Sequence, residues 1–477
     1  MPTLGCASMH GRMTKRPQSY RLYALAVVPF LLLFIPGMWG FPFPVGGQFS
    51  DFSVTHFPYA VVLREHLLAL EFPWWTTHLF GRAPLAANPL THVWYPPHYL
   101  AFLFPLPLGL NLSALLHILF GCAGLAVYAQ LRGYLPESTA LGVLVFSLLP
   151  KTFAFWGAGF LGFLYAFTWI PWLLASVHLP QRRWYQHPAM PLALIFLADP
   201  RVAVYAMLLY LPYSLVFRQQ QVRGWLAAIS RQGVLAFGWS APLLLPMAVF
   251  TAHSTRAALQ PGEASVFSLT VSQLLGLAFR FENVNHELQT YLGLGIIALV
   301  VMALLILRDK QGLFWGVAFW VTLLLALGEH LPILNLLRYV PPFSLLRVPA
   351  RALAFTGLAA ALLTQQMVEA AITAGPVLNQ RRLRLTFFGL SMLVIALSVG
   401  LSLLNPGAVW AFVWSSVVVL LRGLLFELFW MRRLSPAGFV LGLAVLLLLD
   451  LGSLSAGLFE YRSRDSVLRE GAAAVEV

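Results

Sequence analysis

AMPLALIFLADPRVAVYAMLLYLPYSLVF, residues 189–217, is apolar enough to make one membrane helix and long enough to make two short ones. A spanning helix needs about 20 apolar residues. Pro200 decides between the readings, because proline removes an amide donor and clashes with the preceding turn. A break there predicts helices over 189–198 and 201–217, with Asp199-Pro200-Arg201 at a hairpin tip. The choice sets the side of every later loop. With the break, and with the N-terminus inside, 18 of the 30 Lys and Arg fall on the inner side, with four of the 17 acids. The inner side then carries about +14 and the outer about −1. Read as one helix, the stretch would export Arg381, Arg382 and Arg384, against the rule that basic loops stay cytoplasmic.

The rest of the chain agrees with a polytopic membrane protein. Of its 477 residues 59% are hydrophobic and only 10% charged, where soluble domains carry about 25% charged residues. The net charge of +13 is a topogenic signal and predicts no nucleic-acid partner. Cys6 and Cys122 are far apart and form no CxxC, so they indicate neither a disulfide framework nor a zinc site. The basic tail with Arg12, Lys15, Arg16 and Arg21 leads into an apolar run ending Pro-Gly-Met-Trp, which reads as an uncleaved first helix. Residues 1–22 are then a cytoplasmic tail, 23–456 a membrane domain of about 11–13 segments, and 457–477 a short outer tail.

Spans are expected near 23–39, 110–130, 138–150, 158–179, 189–198, 201–217, 232–250, 291–307, 312–328, 351–370, 385–403, 408–421 and 437–456. Tyr99 to Leu108, interrupted by Pro105 and Pro107, reads as a re-entrant or interfacial turn. Three polar stretches, 41–97, 251–290 and 329–350, and the Asp199 tip then share the outer face. That convergence describes a composite site above the membrane, where a lipid headgroup would sit.

Asp51 is the first acid in the chain and follows the first helix closely. A carboxylate there could deprotonate an acceptor hydroxyl or hold a divalent metal, Mg or Mn. Ser50-Asp51-Phe52-Ser53 also reads as a helix cap. His56, His66, His78, His92 and His98 show no metal spacing, and His286-Glu287-Leu288-Gln289-Thr290 lacks the second histidine of a zincin. No phosphate-binding GxxxxGK[ST] occurs. Asn88-Pro89 and Trp94-Tyr95-Pro96-Pro97 suit either a sugar pocket or a rigid interfacial turn. Arg201, Arg256, Arg280, Arg338, Arg347 and Arg351 are outer arginines near helix ends. Arginine binds phosphate with a two-pronged fork; it also snorkels to headgroups.

Asp51, Pro73-Trp74, Gly81-Arg82-Ala83-Pro84, Asn88-Pro89, Tyr95-Pro96-Pro97, Leu197 to Arg201, Leu245-Pro246 with Ser254-Thr255-Arg256, Thr290 to Gly293 and Phe343 to Arg351 follow one another in an order that resembles the YfhO-like bacterial membrane proteins. Those are polytopic glycosyltransferases of the GT-C type that use polyprenyl-phosphate sugars. The resemblance covers most of 20–456. It implies an all-α GT-C-like bundle with a large first extracytoplasmic loop, multi-pass in the cytoplasmic membrane. It implies Asp51 as the catalytic loop carboxylate, and Arg82, Asn88, Tyr95, Asp199, Arg201, Arg256, Arg347 and Arg351 as substrate-binding candidates. The partners it implies are a polyprenyl-phosphate sugar and an extracytoplasmic acceptor. Ser53 stands where many GT-C enzymes have a second acid, and family members often continue into an outer β-rich domain, whereas about twenty residues follow the last expected helix here. A flippase or transporter of polyprenyl-linked lipids is the alternative. It would carry ionisable groups at mid-membrane, and the sequence places nearly all charges at helix ends. A non-catalytic member of the same fold is the third reading.

Overall fold

Asp199 and Pro200 break the 189–217 stretch where the sequence predicts. The Asp199 carboxylate accepts the Arg201 amide at 2.9 Å, and Pro200 occupies the first helical position, where its missing amide costs nothing. The computed structural model describes residues 17–78, 82–180, 183, 186–218, 220–254, 265–281, 284–331, 347–373, 380–404 and 409–473. Its helices are α1 (Pro17–Phe34), α2 (Phe57–Leu68), α3 (Leu108–Leu131), α4 (Pro136–Ser147), α5 (Pro150–Ala158), α6 (Leu161–Thr168), α7 (Ile170–Ser176), α8 (Ala189–Ala198), α9 (Pro200–Val216), α10 (Val222–Ala252), α11 (Leu294–Ile306), α12 (Lys310–Ala326), α13 (Leu353–Thr373), α14 (Gln380–Leu404), α15 (Val409–Trp430), α16 (Pro436–Leu447), α17 (Ser453–Ala456) and α18 (Arg464–Ala473). A π-helical turn, Leu448–Gly452, joins α16 to α17. The protein is an all-α, polytopic membrane protein.

Among the described residues, five stretches are long and apolar enough to cross a membrane: α3, α4 with α5, α10, α15, and α16 through α17. Shorter apolar helices, α8, α9, α11 and α12 among them, fill the bundle. α13 is apolar nearly all round, and its first sixteen residues are all buried. It is the central helix, packed on α4, α11 and α12, as an unsided apolar helix must be. The Tyr99–Leu108 turn is present as a 3-10 helix, Pro96–Leu103, leading into α3.

Two features depart from the expected layout. α15 runs to Trp430 rather than stopping near 421. Arg422 therefore lies within the helix, fully buried against Asp450, and not at its inner end. Apolar residues continue past it, and the opposite charge of Asp450 lets the bundle accept it. The second feature is a strand pair. β1 (Phe41–Pro44) pairs antiparallel with β4 (Phe459–Arg462), Phe43 opposite Glu460. Arg462 also donates to the Gly47 carbonyl at 2.7 Å. The first polar loop is thus tied to a strand whose Arg462 lies 415 residues beyond Gly47. A smaller pair, β2 (Trp75–Thr76) and β3 (Ala83–Pro84), braces the same loop.

Orientation is open to a direct test. Gln48 and Gln220 are both exposed and lie on opposite sides in the charge count. On a background without Cys6 and Cys122, Gln48→Cys is expected to react with a membrane-impermeant maleimide on intact cells, and Gln220→Cys only after permeabilisation. Labelling of both from one side would invert the placement of the site.

Candidate functional site

The first polar loop is seated on the bundle by small groups. Ser50 donates its hydroxyl to the Gly157 carbonyl at 3.1 Å. Gly159, at φ +81°, closes α5, and a Cβ there would stand 2.8 Å from the Cα of Phe52. Only glycine combines that backbone with that approach. Asp51 therefore sits against the α5–α6 junction, at the start of a π-helical turn, Phe52–His56. It occupies the N-cap position, but its side chain makes no capping hydrogen bond. The carboxylate is left for other work.

Three further segments bring charge to it. At the α8–α9 tip, Arg201 grips Asp199 with Nε on Oδ1 at 2.9 Å and Nη2 on Oδ2 at 2.6 Å. Before α13, Arg351 gives Nε at 2.9 Å and Nη2 at 2.5 Å to Oε1 of Glu287, whose side chain is only 2% exposed. The Arg351 guanidinium also lies 4.9 Å over the Phe160 ring. At the start of α5, Lys151 donates to the backbone carbonyls of His286 and Glu287. This anchors the 3-10 turn His286–Leu288, which presents Glu287. Tyr205 of α9 is subject to the same charges, those of Arg351, Glu287 and Arg201.

The electrostatics follow from this packing. Burial pushes the Asp51 carboxyl above the ordinary aspartate range; Arg351 and Arg201 pull it back and Glu287 pushes it further. Burial acts the same way on Asp199, but there Arg201 and Arg351 win, and its carboxyl stays below the ordinary range. Two aspartates in one cluster thus differ in kind. Asp199 is a fixed counter-ion, and Asp51 is the more basic of the two. Divergent environments of this sort separate an acid–base group from its supports.

Arg347 and Arg351 have different duties. Arg351 is committed to Glu287. The Nε of Arg347 is buried with no acceptor among the described residues, and Oε2 of Glu287 with no donor. Between the two arginines Val348 takes φ +59°, a strained conformation for a β-branched residue. Strain of this kind collects at functional sites; here it lies in the segment that presents both arginines.

The other sequence candidates serve packing and turns or lie outside what is described. Tyr95 is fully buried, bonded to His117 at 2.7 Å and to Trp169 at 2.7 Å. Asn88 caps the turn at Leu90 and donates to Tyr59 at 3.0 Å. These are the contacts of a rigid turn. Arg82 is exposed at φ 128°. Arg256 and Arg338 lie outside the described residues, as does most of 329–350. His56, His92 and His98 stack under the loop, with ring centroids 5.3 and 5.0 Å apart. Burial drives His56 down to about 4 and His98 to about 3, and His92 well below the usual value. They are neutral packing groups at neutral pH.

Among the described residues no three His, Cys, Asp or Glu are grouped as a metal would need. Asp51 faces two guanidinium groups, which repel a cation. The residues present do not fit a divalent ion.

One group was missed in the sequence and one was left without its partner. Lys151 falls in the short link between the spans expected at 138–150 and 158–179 and drew no reading, though it is one of only three lysines. Glu287 carried a signal, the His-Glu dipeptide, but its role as the partner of Arg351 depends on long-range packing.

No protein-family model and no curated protein sequence matches the chain. Among solved structures it is similar to ArnT from Cupriavidus metallidurans bound to undecaprenyl phosphate, with a TM-score of 0.50 at 15% identity, over 92% of this chain and 77% of that one. It is also similar to the arabinofuranosyltransferase AftD from Mycobacteria, with a TM-score of 0.45 at 15% identity, over 73% of this chain and 24% of that one. The chain shares its fold with ArnT over most of both chains.

Proposed function

We propose that the protein is a membrane glycosyltransferase that moves a sugar from a polyprenyl-phosphate donor to a hydroxyl on an extracytoplasmic acceptor, such as a cell-wall polymer, a lipid or a glycan. The finer resemblance to the YfhO-like proteins belongs to this reading. The observation that carries it is that three distant parts of the chain adjoin the α5–α6 junction, Asp51 beside Phe52 at Gly159, Arg351 over Phe160 and the Arg201-held Asp199 by Gly162. The fold supports it, since ArnT is a protein bound to undecaprenyl phosphate.

In this reaction the acceptor oxygen attacks the anomeric carbon. The Asp51 carboxylate takes its proton, the new glycosidic bond forms, and the bond from carbon to phosphate oxygen breaks. The electron pair leaves with the phosphate. Arg347, with its unused Nε, and the free edge of Arg351 meet that charge as it develops, which is where fixed donors lower a barrier most. Arg201 holds Asp199 and tempers the basicity of Asp51.

The test separates the two arginines. Arg347→Gln is expected to weaken binding of a purified polyprenyl-phosphate sugar about tenfold, the worth of one hydrogen bond to a charged group. It should leave the melting temperature unchanged, because Arg347 has no partner to lose among the described residues. Unchanged donor affinity would make Arg347 an interfacial anchor and remove the phosphate from this end.

One observation favours the transporter reading. Arg422 and Asp450 are ionisable and fully buried within spanning helices. Reconstituted protein that scrambles a fluorescent polyprenyl lipid across vesicles, without transferring sugar, would establish that reading instead.

A further inference from the structure

A second charged cluster lies where α11, α15 and the π-helical turn 448–452 meet. Asp450 is fully buried in that turn. Its Oδ1 accepts the Tyr291 hydroxyl at 2.5 Å and the Trp414 indole at 3.2 Å. Its Oδ2 accepts Arg422 Nη2 at 3.3 Å. Arg280 stands 3.6 Å from the same carboxylate and donates to the Asp450 carbonyl and to Ser453. Two guanidinium groups thus share one carboxylate. Arg280 Nε and Arg422 Nε and Nη1 are buried without an acceptor among the described residues. A surplus positive charge in such a place needs an anion, since an uncompensated buried charge is strongly destabilising. π-helical turns and intramembrane ions both mark functional positions.

Arg280 also forms part of the wall of a groove of about 760 Å³. Its guanidinium lies 5.1 Å over Trp414. One side of the groove is Trp410, Val413 and Val417 of α15, exposed by 83, 43 and 43%; that side faces the bilayer. The opposite side includes Leu454 and Leu458, past the π-helical turn. The volume is that of an ordinary ligand site, apolar along its length and cationic at one place. The 286–289 turn adjoins both the groove and the cluster around Asp51. His286 and Gln289 line the groove, while Glu287 points the other way, to Arg351.

We propose that this groove holds a bilayer phospholipid with an anionic headgroup, its phosphate on Arg280 and one acyl chain along Trp410, Val413 and Val417. The site is separate from the Arg347–Arg351 end and stands whether or not sugar transfer is the reaction.

The experiment uses the full-length protein in nanodiscs with phosphatidylglycerol or phosphatidylcholine carrying a photoactivatable acyl chain, and maps the labelled peptides. Phosphatidylglycerol should label 410–417 and 454–458 about tenfold more than phosphatidylcholine, because the choline cation of the latter offsets the phosphate charge that Arg280 meets, a difference on the order of one charge-assisted contact. Arg280→Gln should erase the preference. Val417→Trp, away from the Asp450 pair, should fill the groove and reduce labelling by either lipid, and it keeps the test decisive if Arg280→Gln fails to fold. Equal labelling by the two lipids in the wild type, or unchanged labelling in Val417→Trp, overturns the proposal. So does displacement of phosphatidylglycerol by millimolar inorganic phosphate, which would mean a site for the free ion. Displacement by stoichiometric polyprenyl phosphate would give the groove to the donor and overturn it equally.

Discussion

Asp51→Asn is expected to express, bind donor and melt like the wild type, yet transfer sugar at least about a hundredfold more slowly, the lower end of what a general base contributes. The substitution keeps the shape of the side chain and removes its basicity. No hydrogen bond is lost with it, because the carboxylate caps nothing. The pH profile supplies a second reading of the same residue. A base works only when deprotonated, so the rate should fall as the pH drops through the Asp51 pKa. Burial has pushed that pKa up, so the acid limb should lie above the ordinary aspartate value of about 3.9. Arg201 lowers it, so Arg201→Gln should move the limb to still higher pH. His98, at about 3, titrates below the ordinary aspartate value. Turnover of Asp51→Asn within a few-fold of wild type, or a limb that Arg201→Gln does not move, would reject Asp51 as the base.

Glu287→Gln should act on stability first. It removes one partner from a buried ion pair and leaves Arg351, 11% exposed, without its counter-charge. Breaking such a pair costs about 3–5 kcal/mol. The paired replacement Glu287→Leu with Arg351→Met should recover most of that loss, since apolar groups of similar volume often replace a buried pair without penalty. The double variant should still transfer poorly, because the phosphate loses the Arg351 edge. Denaturant titration in detergent measures the first effect and initial rates the second. A loss under about 1 kcal/mol in Glu287→Gln, the range of an exposed pair, would mean that the Arg351 link contributes no positioning.

Much of the bundle was legible because prolines and charges punctuate it. Pro200 split the 189–217 stretch, and the charge count chose the split. Asp51, Arg201 and Arg351 could be grouped from topology alone, since all three were placed at one end. What stayed hidden was pairing at a distance. Nothing local says that Glu287 meets Arg351, that Lys151 reaches the backbone under Glu287, or that Arg422 meets Asp450. Tyr95 and Asn88 stayed ambiguous for a physical reason: a rigid turn and a sugar pocket draw on the same aromatic and amide residues. The strand Phe41–Pro44 is too short and too rich in proline to announce itself, and its partner comes from the far end of the chain.

That partner gives the protein a clock. Arg462 and Gly47, bonded across the β1–β4 pair, are 415 residues apart. At the usual synthesis rate of about 5–20 residues per second, the loop bearing Asp51 waits roughly 20–80 s for its strand. Until then the segment bearing Asp51 rests on the bundle through Ser50 and Phe52. A chain arrested on the ribosome before Phe459 should therefore insert in the membrane and remain inactive, with activity restored when synthesis continues through Arg462.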